Sequence, residues 1–144
     1  MNKTITFAMI KPSCTKFIAD VEKEMMLSGL ESVESATVHL TEQQASVFYA
    51  EHAGKPFFTG LVSMLSSSPV MVYHLSGTDA VKRWRDLIGP TNPNKGERDQ
   101  LRHRFADGEA YEKGSPDNGF HGSANNEDAE REINLMKEWG IFVK

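Results

Sequence analysis

The chain has 144 residues, the size of one ordinary domain, and its 39% hydrophobic and 25% charged residues are those of a globular protein. That balance excludes a disordered, collagenous or coiled-coil architecture, and no apolar run is long enough to span a membrane. The formal net charge of -4 argues against nucleic acid as the default partner. Thr4 to Ile10 reads as a strand that Lys11-Pro12-Ser13 breaks, because Pro12 has no amide to give a ladder. Phe17 or Ile18, Val21 and Met25 then fall at helical spacing, and Gly29 marks the stop. Val33 to Leu40 alternates as a half-buried strand. Thr41 with Gln44 predicts a capping box opening a helix through about Glu51. Phe57, Leu61, Met64 and Leu65 form a second short helix, ended at Ser66-Ser67-Ser68-Pro69. Val70 to Leu75 is continuously apolar, as in a strand buried on both faces. Thr78-Asp79 is expected to cap a helix that turns Trp84 and Ile88 inward and closes at Gly89-Pro90. Residues 89–118 show little periodicity and read as a long functional loop. A short strand around Phe120 and a helix from about Asn126 to Trp139 complete the chain.

This order predicts a single domain over 1–144 of the α+β class: a ferredoxin-like βαββαβ sandwich with an antiparallel four-stranded sheet and covering helices. The apolar run at the N-terminus is too short for a secretory leader, and the single cysteine, Cys14, cannot form an internal disulfide. The expectation is a cytoplasmic protein. The charge is uneven. Residues 82–104 carry seven basic side chains against three acidic ones in an otherwise acidic chain. That suits either a local anion site or a solvated helix face.

The usual phosphate and metal signatures are absent. Gly54-Lys55 is followed by Pro56, not by Ser or Thr, and the five histidines (His39, His52, His74, His103, His121) are too scattered to predict a metal cage. Gly119-Phe120-His121-Gly122 formally matches an RNA-binding GXXG loop but has no basic residue inside it. His121 stands between two glycines that would let a ligand approach the ring, just before a helix N-terminus that favours anions. Glu132 in that helix could reach the imidazole and hold its tautomer, which would make His121 a competent nucleophile toward phosphorus. The alternative at this point is a turn histidine with no role. Lys11, Arg85 and Arg102 could hold phosphate or could simply face solvent.

Taken in order, the segments resemble the nucleoside diphosphate kinase family. They are Ile10-Lys11-Pro12, Phe48-Tyr49-Ala50-Glu51-His52, Lys55-Pro56-Phe57-Phe58, Ser68-Pro69-Val70, Arg85-Asp86-Leu87-Ile88-Gly89 with Thr91-Asn92-Pro93, Leu101-Arg102, Asn118-Gly119-Phe120-His121-Gly122-Ser123 and Ala129-Glu130-Arg131-Glu132-Ile133. The resemblance implies transfer of the γ-phosphoryl group of ATP to a nucleoside diphosphate by a ping-pong mechanism, with His121 as the phosphorylated nucleophile. It implies that Lys11, Arg85, Thr91, Arg102 and Asn118 hold phosphates and ribose, and that Phe57 packs on the base. It further implies that Tyr49 and Ser123 support the site and that Glu132 orients the His121 ring. Mg²⁺ would bridge the phosphates with few protein ligands. The chain would assemble as a homo-oligomer, a tetramer or a hexamer, without membrane or nucleic-acid partners. Three departures stand out. Ser13 follows Lys-Pro where the family has Asp or Asn, Ala124-Asn125 follow Ser123, and an acidic insert, expected to be mobile, lies between Asp107 and Asp117. Two competing readings remain: a catalytically silent member of the family, and an unrelated ferredoxin-like regulatory or RNA-binding module.

Overall fold

The structure, a computed structural model, describes residues 2–144; Met1, counted in the expected domain, lies outside the described residues. β1 (Lys3–Ile10) leads through a 3-10 turn at Pro12–Phe17 into α1 (Ile18–Leu27) and β2 (Glu31–Val38). α2 (Glu42–Phe48), a 3-10 turn at Ala50–His52 and α3 (Phe58–Ser67) precede β3 (Val70–Thr78). Next come α4 (Ala80–Ile88), a 3-10 turn at Pro93–Lys95, and the short helices α5 (Leu101–Phe105) and α6 (Gly108–Glu112). β4 (Phe120–Gly122) and α7 (Asn126–Glu138) follow. The four strands form one sheet in the order β2-β3-β1-β4, with every pairing antiparallel, as the expected α+β ferredoxin-like sandwich requires.

The two faces of the sheet hold two cores, because successive strand side chains point to opposite sides. Phe7 and Met9 of β1 join Val70 and Val72 of β3 under α2, α3 and α7. Ala8 and Ile10 join Tyr73 and Leu75 under α1, α4 and α5, where Trp84 is fully buried. Burying each such large side chain contributes roughly 1.5–3 kcal/mol. β3 is apolar on both faces for this reason.

Thr41 does form the predicted capping box: its hydroxyl accepts from the Gln44 amide at 3.0 Å, and the Gln44 side chain accepts from the Thr41 amide at 3.0 Å. The helix it opens ends at Phe48, earlier than expected, and the chain tightens into the 3-10 turn. Asp79 does not cap α4. It sits in the left-handed region at φ 49°, and its side chain makes no cap bond. Thr4 supplies the acceptor instead, taking the Ala80 amide at 2.9 Å across 76 positions of sequence. Residues 89–118 are not one structureless loop. They hold the 3-10 turn at 93–95 together with α5 and α6, and Asp107 caps α6 by accepting from the Ala110 amide at 2.9 Å.

Candidate active site

β4 is an edge strand of three residues, and its register sets the site. His121 lies opposite Met9, so its side chain points to the face of α2 and α7, while Phe120 packs in the opposite core. A slip of one residue would turn the imidazole into the other core. Two glycines make this placement sterically feasible. Gly119 has φ +89°, and a Cβ there would lie 2.8 Å from the Cys14 sulfur. A Cβ at Gly122 would lie 2.7 Å from Cδ1 of Trp84, and the indole nitrogen of Trp84 donates to the His121 carbonyl at 2.8 Å. Phe7 and Phe48 flank the imidazole, with ring centroids 6.0 and 5.1 Å away.

Both ring nitrogens of His121 are engaged. Nε2 lies 3.0 Å from Oε1 of Glu132, which also accepts the Ser123 hydroxyl at 2.7 Å. The Ser123 oxygen in turn accepts the Phe7 amide at 3.1 Å. Burial alone would raise the Glu132 carboxyl, but the His121 ring, the Ser123 hydroxyl and the Arg131 guanidinium outweigh it and hold the pKa below the usual range. An ionised carboxylate only accepts, so the Nε2 position carries the proton and Nδ1 keeps its lone pair. The Tyr49 hydroxyl lies 3.0 Å from Nδ1. Burial pushes that phenol upward, so it stays protonated and donates to Nδ1.

The imidazole opens on a cleft of about 1290 Å³, whose walls include Lys11, Tyr49, Phe57, Arg85, Thr91, Arg102 and Glu132. That is larger than the usual ligand site and leaves room for a nucleotide. Lys11 follows β1 and is 5% exposed, and its ammonium donates to Oδ1 of Asn118 at 2.9 Å. Burial, then the neighbouring Arg102, push it down to about 7. Arg102 of α5 is held by two carbonyls, Nη1 to Gly89 at 2.8 Å and Nη2 to Phe120 at 2.7 Å, while its buried Nε has no hydrogen-bond partner among the described residues. Burial lowers this guanidinium to about 10, which leaves it charged at neutral pH. Arg85 of α4 makes only a long 3.5 Å contact with the Ser123 carbonyl. Phe57, at the start of α3, is 51% exposed, and Thr91 is exposed at the mouth. Asn118 and Ser123 are buried behind the cleft wall; the Asn118 amide also donates to the Thr91 carbonyl at 2.8 Å. Cys14 is buried, and burial pushes its thiol up to about 11, so it is inert at neutral pH.

The sequence reading gave no role to several residues found here. Trp84 reads in the sequence only as a core residue, yet it fixes the His121 backbone. The insert supplies Tyr111, Ser115 and Pro116 to the cleft wall, and Glu112 ties it down by accepting from Asn92 and Asn94 at 3.0 Å each. His52 also lines the cleft and packs between Tyr49 and Phe57, at 5.6 and 5.3 Å between ring centroids. Only its place in a family-like segment could have flagged it. The GXXG match lies at β4, not between two helices as an RNA-binding loop would. Among the described residues, no group of three or more His, Cys, Asp or Glu side chains is arranged to hold a metal ion, and no helix is long and apolar enough to cross a membrane.

The sequence profile of the nucleoside diphosphate kinase family matches residues 4–138. Among solved structures, the chain is similar to a halophilic nucleoside diphosphate kinase from Halobacterium salinarum in complex with CDP. The TM-score is 0.85 at 31% identity, covering 99% of this chain and 93% of that one. The nucleoside diphosphate kinase of Aquifex aeolicus matches with a TM-score of 0.84 at 29% identity, covering 94% and 95%. A nucleoside diphosphate kinase family protein from Babesia bovis gives 0.84 at 29% identity, covering 98% and 93%.

Proposed function

The chain belongs to the nucleoside diphosphate kinase family, a family of phosphotransferases, and from that premise we propose that it carries the γ-phosphoryl group of ATP to a nucleoside diphosphate through a phosphohistidine on His121. The observation that carries this reading is the His121 ring itself, on the cleft wall, with Nε2 against an ionised Glu132 and Nδ1 3.0 Å from the Tyr49 hydroxyl.

In the first half-reaction the Nδ1 lone pair attacks the γ-phosphorus. The bond from that phosphorus to the β,γ-bridging oxygen breaks, and the nucleoside diphosphate leaves with the electron pair. Glu132 stabilises the positive charge that grows on the imidazole as Nδ1 gives up its lone pair. Tyr49 must release Nδ1 for the attack, and its hydroxyl is then free to donate to a phosphoryl oxygen. In the second half-reaction the terminal oxygen of another diphosphate attacks the phosphohistidine, and Nδ1 recovers its lone pair. Phosphoryl transfer needs positioning and charge neutralisation more than covalent chemistry. Lys11, Arg85 and Arg102 supply cations, Thr91 a hydroxyl, and Asn118 holds Lys11 in place. Phe57 offers a stacking face at the mouth, which tolerates every base.

A divalent cation such as Mg²⁺ fits a cleft without a protein cage only if the phosphates bring it. Glu51, Asp86 and Asp128 line the same walls, with Asp86 already holding Lys82 at 2.6 Å, and their carboxylates would be the nearest protein partners for its water shell. When bound, the ion neutralises phosphate charge and fixes the tail conformation. A homo-oligomer is part of the same proposal. Among the described residues β2 is an edge strand with no strand on its outer side, and Met26 and Leu27, shortly before it in the chain, are 71% and 72% exposed. A cytoplasmic location accords with the single cysteine.

The test is a coupled transfer assay with ATP and a second diphosphate. Ping-pong exchange gives parallel double-reciprocal lines, and His121→Asn should abolish transfer. Intersecting lines, or an active variant, would overturn the reading. A silent family member would give no transfer at all.

A further inference from the structure

The end of β1 that leads into Lys11 and the start of β4 that carries His121 lie side by side in the sheet and are fastened together by one carboxylate, Asp117. Its Oδ2 accepts the Ser13 amide at 3.0 Å, and its Oδ1 accepts the Ser13 hydroxyl at 2.8 Å and the Gly119 amide at 2.8 Å. The Lys11 amide in turn donates to the Gly119 carbonyl at 2.8 Å. Ser13 is the position at which the Lys-Pro segment departs from the family pattern. The acid facing it comes from the chain just before β4, 104 positions away.

We propose that Asp117 is a positioning residue for Lys11: through Ser13 and Gly119 it seats the lysine at the head of the cleft, and its charge favours the protonated form of the buried amine. The proposal rests on the phosphate-binding reading of that cleft.

The surroundings of Lys11 explain why such a carboxylate is needed. The ammonium is buried, and its hydrogen-bond partner is the neutral Asn118 amide. The ionisable groups facing it are Arg102 of α5, Asp117 before β4 and the Cys14 thiol. Arg102 repels it, and the thiol is neutral at physiological pH. Asp117 is thus the fixed anion set against burial and the guanidinium. It makes no ion pair with Lys11 within 4.0 Å among the described residues, so its charge acts through space while its oxygens hold backbone. This leaves the ammonium's remaining protons for a phosphate.

The test reads the lysine directly. In protein carrying ¹³C-labelled lysine, the Lys11 Cε signal, assigned with Lys11→Arg, is titrated by NMR without nucleotide. Asp117→Asn keeps the shape and most of the acceptors but removes the charge. Its Lys11 midpoint should fall by about half a unit or more, because the carboxylate is the largest influence opposing desolvation. Ser13→Ala keeps the charge and should leave the midpoint in place while lowering the melting temperature. Asp117→Ser keeps an acceptor for the amides, should give the same lowering, and serves where D117N does not fold. In the transfer assay, KM for ADP at pH 8 should rise roughly threefold in D117N, the factor that half a unit gives, and far less at pH 5.5. A D117N protein of reduced stability with an unmoved Lys11 midpoint would show a purely structural clamp and overturn the inference. A chain that transfers no phosphoryl group while Lys11 still responds to D117N would overturn the functional reading and leave this one standing.

Discussion

Glu132→Gln isolates the electrostatic part of the site. The substitution is nearly isosteric. The amide oxygen still accepts from His121 and Ser123, so the ring's position is largely kept. What disappears is a buried negative charge, 3.0 Å from a nitrogen whose ring becomes cationic as phosphorus is attacked. A hydrogen bond to a charged group is worth about 1.5–3 kcal/mol. If that interaction is realised mainly in the transition state, the phosphorylation rate should fall roughly 10- to 150-fold, since each 1.36 kcal/mol is tenfold. The assay is single-turnover phosphorylation of the protein by γ-labelled ATP in a rapid-quench instrument. The substitution also removes a pH dependence of stability. Glu132 titrates below its ordinary value in the fold, so its contribution is present above the unfolded pKa and lost as pH falls through the folded one. The E132Q variant should therefore lose less stability than the wild type between neutral pH and pH 3. A variant that folds, keeps the ring in place and phosphorylates at the wild-type rate would refute the charge-stabilisation argument.

Further tests address the other walls of the cleft. Phe57→Ala should raise KM by a similar factor for purine and pyrimidine nucleotides, measured with four diphosphates; an effect confined to one base would show edge-specific recognition instead of stacking. Lys11 is pushed down to about 7, so at pH 8 most of the ligand-free protein holds it neutral. Calorimetry of nucleoside diphosphate binding at pH 8 in buffers of different ionisation enthalpy should record proton uptake, and this should vanish in Lys11→Met. Gly122→Ala places a methyl against the Trp84 ring, so thermal denaturation should show a loss of about 1–3 kcal/mol, with reduced transfer as the His121 backbone moves.

Much of this site was legible because its signals are local. The strand at 4–10, the apolar run of β3 and the capping box at Thr41 are short-range patterns, and the structure keeps them. The glycine brackets around His121 marked a close approach, and the structure shows what approaches: Cys14, Ala106 and Trp84. The reading failed where a distant partner replaced the local one. Asp79 looked like a cap, but Thr4 took that role from the neighbouring strand. Residues 89–118 looked structureless because α5 and α6 are five residues each, too short to show a period. The Asp117–Ser13 contact left no trace in the sequence, since Ser13 stands in a short 3-10 turn, Asp117 lies outside any helix or strand, and only sheet pairing brings them together.

Everything proposed for this cleft depends on His121 Nδ1 becoming the phosphorus carrier. Incubation with ¹⁵N-histidine-labelled protein and ATP, removal of nucleotide, and phosphorus NMR at alkaline pH would test it most directly. The expected result is one acid-labile, base-stable phosphoryl group per chain, coupled to Nδ1 of His121 and discharged by added nucleoside diphosphate. A phosphoryl group on Nε2 or on another residue, or a phosphoenzyme that added diphosphate does not discharge, would contradict it.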